Sequence, residues 1–194
     1  MKKIVVLVSG SGTNLQRILE CIDSGSLANV EVVLVVSDRA CYGLQRAADA
    51  GIQGVQLPRG KAFSEALQRV LPKDTDLIVL AGFLSILSAE FTEKYRGRII
   101  NIHPSLLPKY GGRGMWGMNV HRAVLAAGET QSGATVHHVT SGIDEGGIIL
   151  QGAVEVTAGD TPESLAQKVH QVEYEILPKA IGQLLNGEQS IAFN

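Results

Sequence analysis

Five short runs of β-branched and aliphatic residues, almost free of polar interruption, recur through the first hundred positions. They are IVVLV at 4–8, VEVVLVV at 30–36, a weaker GVQL at 54–57, DLIVLAG at 76–82 and RIINIH at 98–103. A strand with one wet face alternates apolar and polar residues, so continuous runs belong to strands covered on both faces, as in a parallel sheet. Parallel neighbours need a crossover between them, usually a helix. The intervals supply it: Leu15, Ile18, Leu19 and Ile22 in the first, and Phe63, Leu67, Val70 and Leu71 in the third, fall at the spacing of one helical face. The expected order to residue 103 is βαβαβαβαβ.

Beyond residue 103 the pattern changes. A glycine-rich segment at 111–117 precedes a helix expected over 119–127, and two strand-like runs follow, GATVHHVT and GIILQGAVEV, joined by SGIDEGG. So short and turn-rich a connection predicts an antiparallel pair. The last helix should start at Asp160-Thr161-Pro162-Glu163, with proline in its first turn and an acid near the positive end of its dipole, and should kink or break near Pro178. There is no linker, repeat or low-complexity tract. A chain of 194 residues, 45% hydrophobic, can bury one core. The fold class expected is a single α/β domain over 1–194, a Rossmann-like three-layer arrangement with a mostly parallel central sheet, an antiparallel C-terminal pair of strands and a long C-terminal helix.

Charge excludes some partners. A formal net charge of −2 leaves no basic stripe for nucleic acid. Cys21 and Cys41, both in segments that read as helical, form no CxxC pair, which suits a reducing cytoplasm. The start, MKKIVVLVSG, imitates a signal peptide, but its apolar run of residues 4–8 is shorter than the roughly 7–15 residues of an h-region. Nothing approaches the roughly 20 apolar residues of a membrane span.

Two stretches carry candidate chemistry. After the first strand, Ser9-Gly10-Ser11-Gly12-Thr13-Asn14 opens into the first helix, where unpaired backbone N–H groups and the helix dipole suit a phosphate; a plain tight βα turn is the alternative. For a dinucleotide, Leu15 takes the place of the third glycine and Asp38 is followed by Arg39, so an NAD(P)-binding oxidoreductase is the runner-up class. In the fifth strand, Asn101 and His103 lie two apart and so share a face, and Pro104 ends the strand where open α/β sheets bind ligands. A neutral and an ionisable donor together suit an oxyanion developing on an acyl carbon. Asp144 is the candidate carboxylate for His103, although an acid before two glycines is also ordinary turn chemistry. His137 and His138 point to opposite faces, with His137 the one able to support a ligand loop; His121 and His170 read as surface residues. No spacing resembles a zinc site.

Taken in order, SGSGTN at 9–14, AGFLSIL at 81–87, NIHPSLLPKY at 101–110 and HHVTSGIDEGG at 137–147 resemble the phosphoribosylglycinamide formyltransferases of purine biosynthesis, and NIHPSLLP is specific to the formyltransferase superfamily. The resemblance implies transfer of a formyl group from 10-formyltetrahydrofolate, a co-substrate, to the amine of glycinamide ribonucleotide, with no metal. It implies Asn101, His103 and Asp144 as the catalytic trio, Asp144 raising the pKa of His103. Residues 1–100 become the nucleotide-phosphate half and 101–194 the catalytic and folate half. By the same resemblance Gly10, Ser11, Gly12, Thr13 and Asn14 hold the phosphate and Glu173 the ribose, although Glu173 also reads as a boundary residue reaching for water.

The folate is expected against Leu84, Ser85, Ile86 and Leu87, which otherwise read as core, and against Val139, Thr140, Ser141, Gly142, Ile143 and Asp144. Many members carry an arginine before the third helix; here Arg59 or Lys61 takes that role. The loop GGRGMWGMNV at 111–120 is longer than in many members, and Arg113 and Trp116 are expected to fold over the nucleotide, unless the segment is only a surface loop. Relatives acting on tRNA or amino sugars carry added C-terminal domains and the hydrolases an N-terminal one, for which this chain has no room. A hydrolase of 10-formyltetrahydrofolate is the alternative within the superfamily, and the protein is expected as a monomer or homodimer.

Overall fold

In the computed structural model, which describes residues 1–187, β1 (Lys2–Val8), β2 (Val30–Ser37), β3 (Gly54–Gln56), β4 (Leu77–Leu80) and β5 (Ile99–His103) form the parallel part of one sheet. β6 (Gln131–His138) adds antiparallel to β5, and β7 (Ile148–Glu155) antiparallel to β6, giving the order β3-β2-β1-β4-β5-β6-β7. The chain runs outward from β1 to β3, then returns to the other side of β1. The crevice that this reversal opens at the carboxyl ends of β1 and β4 is where a doubly wound sheet binds its ligand.

Helices cover both faces because the strands are apolar on both. From β1, Ile4, Val6 and Val8 pack under α1 (Thr13–Asp23) and α6 (Pro162–Asn186), meeting Leu15, Ile18, Leu165, Val169 and Leu177. Val5 and Leu7 point the other way, toward Phe63 and Leu67 of α3 (Phe63–Val70) and Phe91 of α4 (Ala89–Lys94). All of these side chains are buried. Full burial of one such side chain contributes roughly 1.5–3 kcal/mol. Two further helices complete the chain, α2 (Tyr42–Asp49) and α5 (Met118–Ala126). Cys41 is not helical as expected from the sequence; it is the extended residue that precedes α2.

The last helix also departs from expectation. α6 starts as foreseen, with Thr161 as N-cap in a reciprocal capping box with Ser164, but it runs through Pro178 without a break. Proline has no N–H to offer the carbonyl four residues earlier, which is that of Tyr174. Arg17 of α1 donates its Nε–H to that oxygen at 3.3 Å. The lost helical bond is thus replaced by one that ties α6 to α1.

Candidate active site

At the carboxyl end of β1 the chain turns through Gly12, which has φ 70° and caps α1 without a side-chain hydrogen bond. A Cβ at this position would lie 2.7 Å from the Cα of Gly43, so the close approach of α2 and the left-handed backbone both demand glycine. Arg46 holds the turn by donating its Nε–H to the carbonyl of Ser11 at 2.8 Å. The first N–H groups of α1 remain free of side-chain caps, a donor set matched to an anion.

Ser9 joins this turn to the loop after β4. Its hydroxyl accepts the N–H of Leu84 at 2.9 Å. Below that loop lies Asp38, a carboxylate missed as a site residue by the sequence reading and almost fully buried. It accepts two bonds from Arg39, at 2.9 and 2.8 Å, and one from the Ser85 hydroxyl at 2.6 Å, while Arg59 approaches to 3.5 Å. Burial alone would push its pKa up, but hydrogen bonds from Arg39, Ser85 and Ser9 outweigh it and hold the group at about 2. Arg39 and Arg59 are thereby set on the cavity wall; Lys61 is exposed and does not line it. Of the two basic residues considered before α3, Arg59, which approaches Asp38, is the one that lines the cavity.

The ends of β5 and β6 carry the reactive cluster. Antiparallel register sets Asn101 opposite His137 and His103 opposite Thr135. The ring of His103 donates Nε2–H to the carbonyl of Tyr110 at 2.8 Å, which leaves Nδ1 facing Asp144 Oδ2 at 3.5 Å. His137 donates Nδ1–H to the carbonyl of His138 at 2.9 Å. Its Nε2 is therefore the acceptor for Asn101 Nδ2 at 3.1 Å, and it also lies 3.7 Å from Asp144 Oδ1. This bond fixes the orientation of the Asn101 amide and leaves its second N–H free. Sequence reasoning had assigned His137 to a ligand loop; its place next to Asn101 follows from the β5–β6 register.

Asp144 is positioned by an unusual backbone. Its φ is 59°, and its Oδ2 accepts the N–H of Gly112 at 2.9 Å, which anchors the start of the 111–117 segment. Gly146, two residues on, is structural as well: a Cβ there would stand 1.7 Å from the carbonyl oxygen of His138. The turn can fold back on β6 only without a side chain there.

One cavity of about 940 Å³ takes in all of these features. Its lining includes every residue expected at the site except Lys61, so the trio, the turn after β1, the 84–87 loop and the 139–144 segment converge. Arg113 and Trp116 also line it, with Trp116 55% exposed at the rim. At the opposite wall Asn14 donates to Glu173 Oε2 at 2.9 Å. Glu173 is 5% exposed, and burial pushes its pKa up, the hydrogen bond from Asn14 and the nearby His170 opposing.

His121, expected at the surface, is only 2% exposed because the face of α5 that carries it turns toward α6; His170 is exposed as expected but borders the cavity. Burial, with a smaller contribution from His170, lowers the pKa of His121 to about 4. The unfolded chain therefore takes up a proton near pH 6.5 that the folded chain refuses until about pH 4, and stability falls as the pH drops through that interval. Glu173, with its raised pKa, works in the opposite direction in part of the same range. The expected result is that the urea midpoint of a His121→Phe variant declines less steeply between pH 6.5 and 4 than that of the parent; parallel slopes would contradict the assignment.

A mostly parallel sheet whose crevice joins an uncapped glycine turn to a facing amide, imidazole and carboxylate has the layout of an α/β group-transfer protein, and the chain belongs to the formyl transferase family, whose model matches residues 2–181. Among its relatives, the phosphoribosylglycinamide formyltransferase of Haemophilus influenzae is 39% identical, with 100% of this chain and 92% of that protein covered. The crystal structure of glycinamide ribonucleotide transformylase 1 from Symbiobacterium toebii has a TM-score of 0.89 at 41% identity, covering 99% of this chain and 91% of that one. The trifunctional purine biosynthetic protein adenosine-3 of Drosophila pseudoobscura pseudoobscura is 43% identical over 96% of this chain, which spans only 14% of that longer protein.

Proposed function

We propose that the protein transfers the formyl group of 10-formyltetrahydrofolate to the amine of glycinamide ribonucleotide. The observation that carries this reading is the meeting of Asn101, His103 and Asp144 between a phosphate-suited turn and a slot with apolar walls, inside one cavity. Leu84 and Ile86, 42% and 67% exposed, leave apolar surface open on that slot beside the backbone groups of 139–144, which suits a flat heterocycle. The relatives named above support the choice of acceptor.

In this mechanism the amine nitrogen attacks the formyl carbon, and the carbonyl oxygen takes up negative charge. The free N–H of Asn101 and a proton on His103 Nδ1 receive it. Asp144, 3.5 Å from that nitrogen, is the counter-charge for the imidazolium. Collapse restores the carbonyl and breaks the bond to the folate nitrogen, which gains one proton as the new amide nitrogen loses one. Arg39 and Arg59 present cations to an anionic portion of the folate.

Steady-state assays with and without glycinamide ribonucleotide test the reading. The folate is expected to lose its formyl group only when the ribonucleotide is present, with formylated ribonucleotide appearing in equal amount. Deformylation at the same rate without acceptor would mean hydrolysis and would end this proposal.

A further inference from the structure

The segment after β4 alternates its side chains as a strand would, although it lies in no strand. Phe83 packs on Phe63, with ring centroids 5.2 Å apart, and Leu87 is buried in the same apolar cluster. Leu84 and Ile86, between them, are left exposed on the cavity. Ser85 falls in the inward row with Phe83 and Leu87, and a polar residue is accommodated there because its hydroxyl donates to Asp38 Oδ2 at 2.6 Å. The segment is pinned a second time by Ser9, which accepts the N–H of Leu84 at 2.9 Å and hydrogen-bonds Asp38.

Asp38 also holds two cations. Its Oδ1 accepts Arg39 Nε–H at 2.9 Å, and its Oδ2 accepts Arg39 Nη2 at 2.8 Å and faces Arg59 Nε at 3.5 Å. The side chain of Asp38 has no exposed surface and does not line the cavity, yet it is held ionised across the neutral range. A buried charge fixes the geometry of its donors, because charge-assisted bonds are short and strong where water is excluded. One carboxylate facing two guanidinium groups leaves positive charge over, and both arginines border the cavity. The exposed apolar pair and the two cations thus share one anchor beneath the wall.

We propose that Asp38 is a positioning residue for the pterin-bearing substrate: through Ser85 it displays Leu84 and Ile86 as an apolar platform, and through Arg39 and Arg59 it orients the charges that meet an acidic tail. The inference rests on the proposed function and adds to it a residue, at the end of β2, that touches no ligand itself. Losing the bond to Ser85 frees the segment to turn, so that Leu84 and Ile86 no longer face the cavity together. Losing the charge of Asp38 releases the arginines as well.

Tetrahydrofolate, tetrahydropteroate, which lacks the glutamate, and glycinamide ribonucleotide are to be titrated calorimetrically into the parent, Ser85→Ala, Ser85→Thr and Asp38→Asn. Ser85→Ala is expected to weaken both pterins by the same factor, about 3- to 10-fold, within the worth of one hydrogen bond. Ser85→Thr keeps the hydroxyl and restores the parental affinity. Asp38→Asn weakens both pterins and also lowers the preference for tetrahydrofolate over tetrahydropteroate, because the arginines lose their anchor. The ribonucleotide loses less affinity than the pterins in Ser85→Ala and Asp38→Asn, a split that a general loosening of the fold would not produce. Pterin affinities unchanged in both Ser85→Ala and Asp38→Asn overturn the positioning role and leave the proposed function standing. Equal losses for pterins and ribonucleotide, or a Ser85→Thr variant as weak as Ser85→Ala, show a purely structural carboxylate and overturn it too. A parent that binds the ribonucleotide but neither pterin overturns the proposed function along with this inference.

Discussion

Asp144→Asn is expected to lower kcat by about 100- to 10,000-fold, the range for loss of a positioned proton donor, while ribonucleotide affinity stays within about twofold. The backbone should survive, because asparagine tolerates the positive φ of 59° that Asp144 adopts. The new amide oxygen can still accept the N–H of Gly112. That oxygen is the atom facing His103 Nδ1, so the imidazole then meets a neutral amide oxygen in place of a carboxylate, and the NH₂ takes the Oδ1 place beside His137 Nε2. Without the carboxylate's counter-charge the imidazolium is no longer favoured, and a neutral ring whose N–H is committed at Nε2 to the carbonyl of Tyr110 has no proton on Nδ1 to give to the reacting oxygen. Single-turnover formyl transfer and equilibrium ribonucleotide binding separate the two effects. A kcat within threefold of the parent, or equal losses in affinity and rate, would show that the carboxylate acts only by anchoring the 111–117 segment.

Asn101→Ala comes second. Removing one oxyanion donor should reduce kcat by about 100- to 1000-fold, roughly 3–4 kcal/mol of transition-state stabilisation. The turn proposed to hold the phosphate, and Glu173, lie on other elements, so the ribonucleotide dissociation constant should hardly move. The variant also strips His137 Nε2 of its partner. A His137→Phe variant, which leaves Asn101 in place but unanchored, should therefore show a smaller loss of the same kind, in kcat and not in affinity. If Asn101→Ala keeps its turnover while His137→Phe loses it, the roles are reversed.

Much of the architecture was legible because it is written in short-range periodicity. The apolar runs at 4–8 and 30–36 lie within strands, the run at 98–103 does so from Ile99 onward, and the SGIDEGG link does join an antiparallel pair. Asn101 and His103 could be placed together because residues two apart in a strand share a face. Failures came where a partner distant in sequence decides. Pro178 does not break α6 because Arg17 supplies the missing bond, and His121 is buried because the face of α5 that bears it is the one turned to α6. Between Arg59 and Lys61 the sequence left the choice open, and Arg59, beside the buried acid at position 38, is the one that lines the cavity.

The chain's own order of residues was enough to specify its elements, the glycine turn after β1 and the paired amide and imidazole at the end of β5, since each depends on neighbours a few positions away. It could not specify that Asp144 comes within 3.5 Å of His103, that His137 orients Asn101, or that Asn14, Glu173 and His121 line one cavity. Those placements depend on strand order, on the β5–β6 register and on the packing of α5 against α6. Only the folded chain brings such groups within the few ångströms over which hydrogen bonds and charges act.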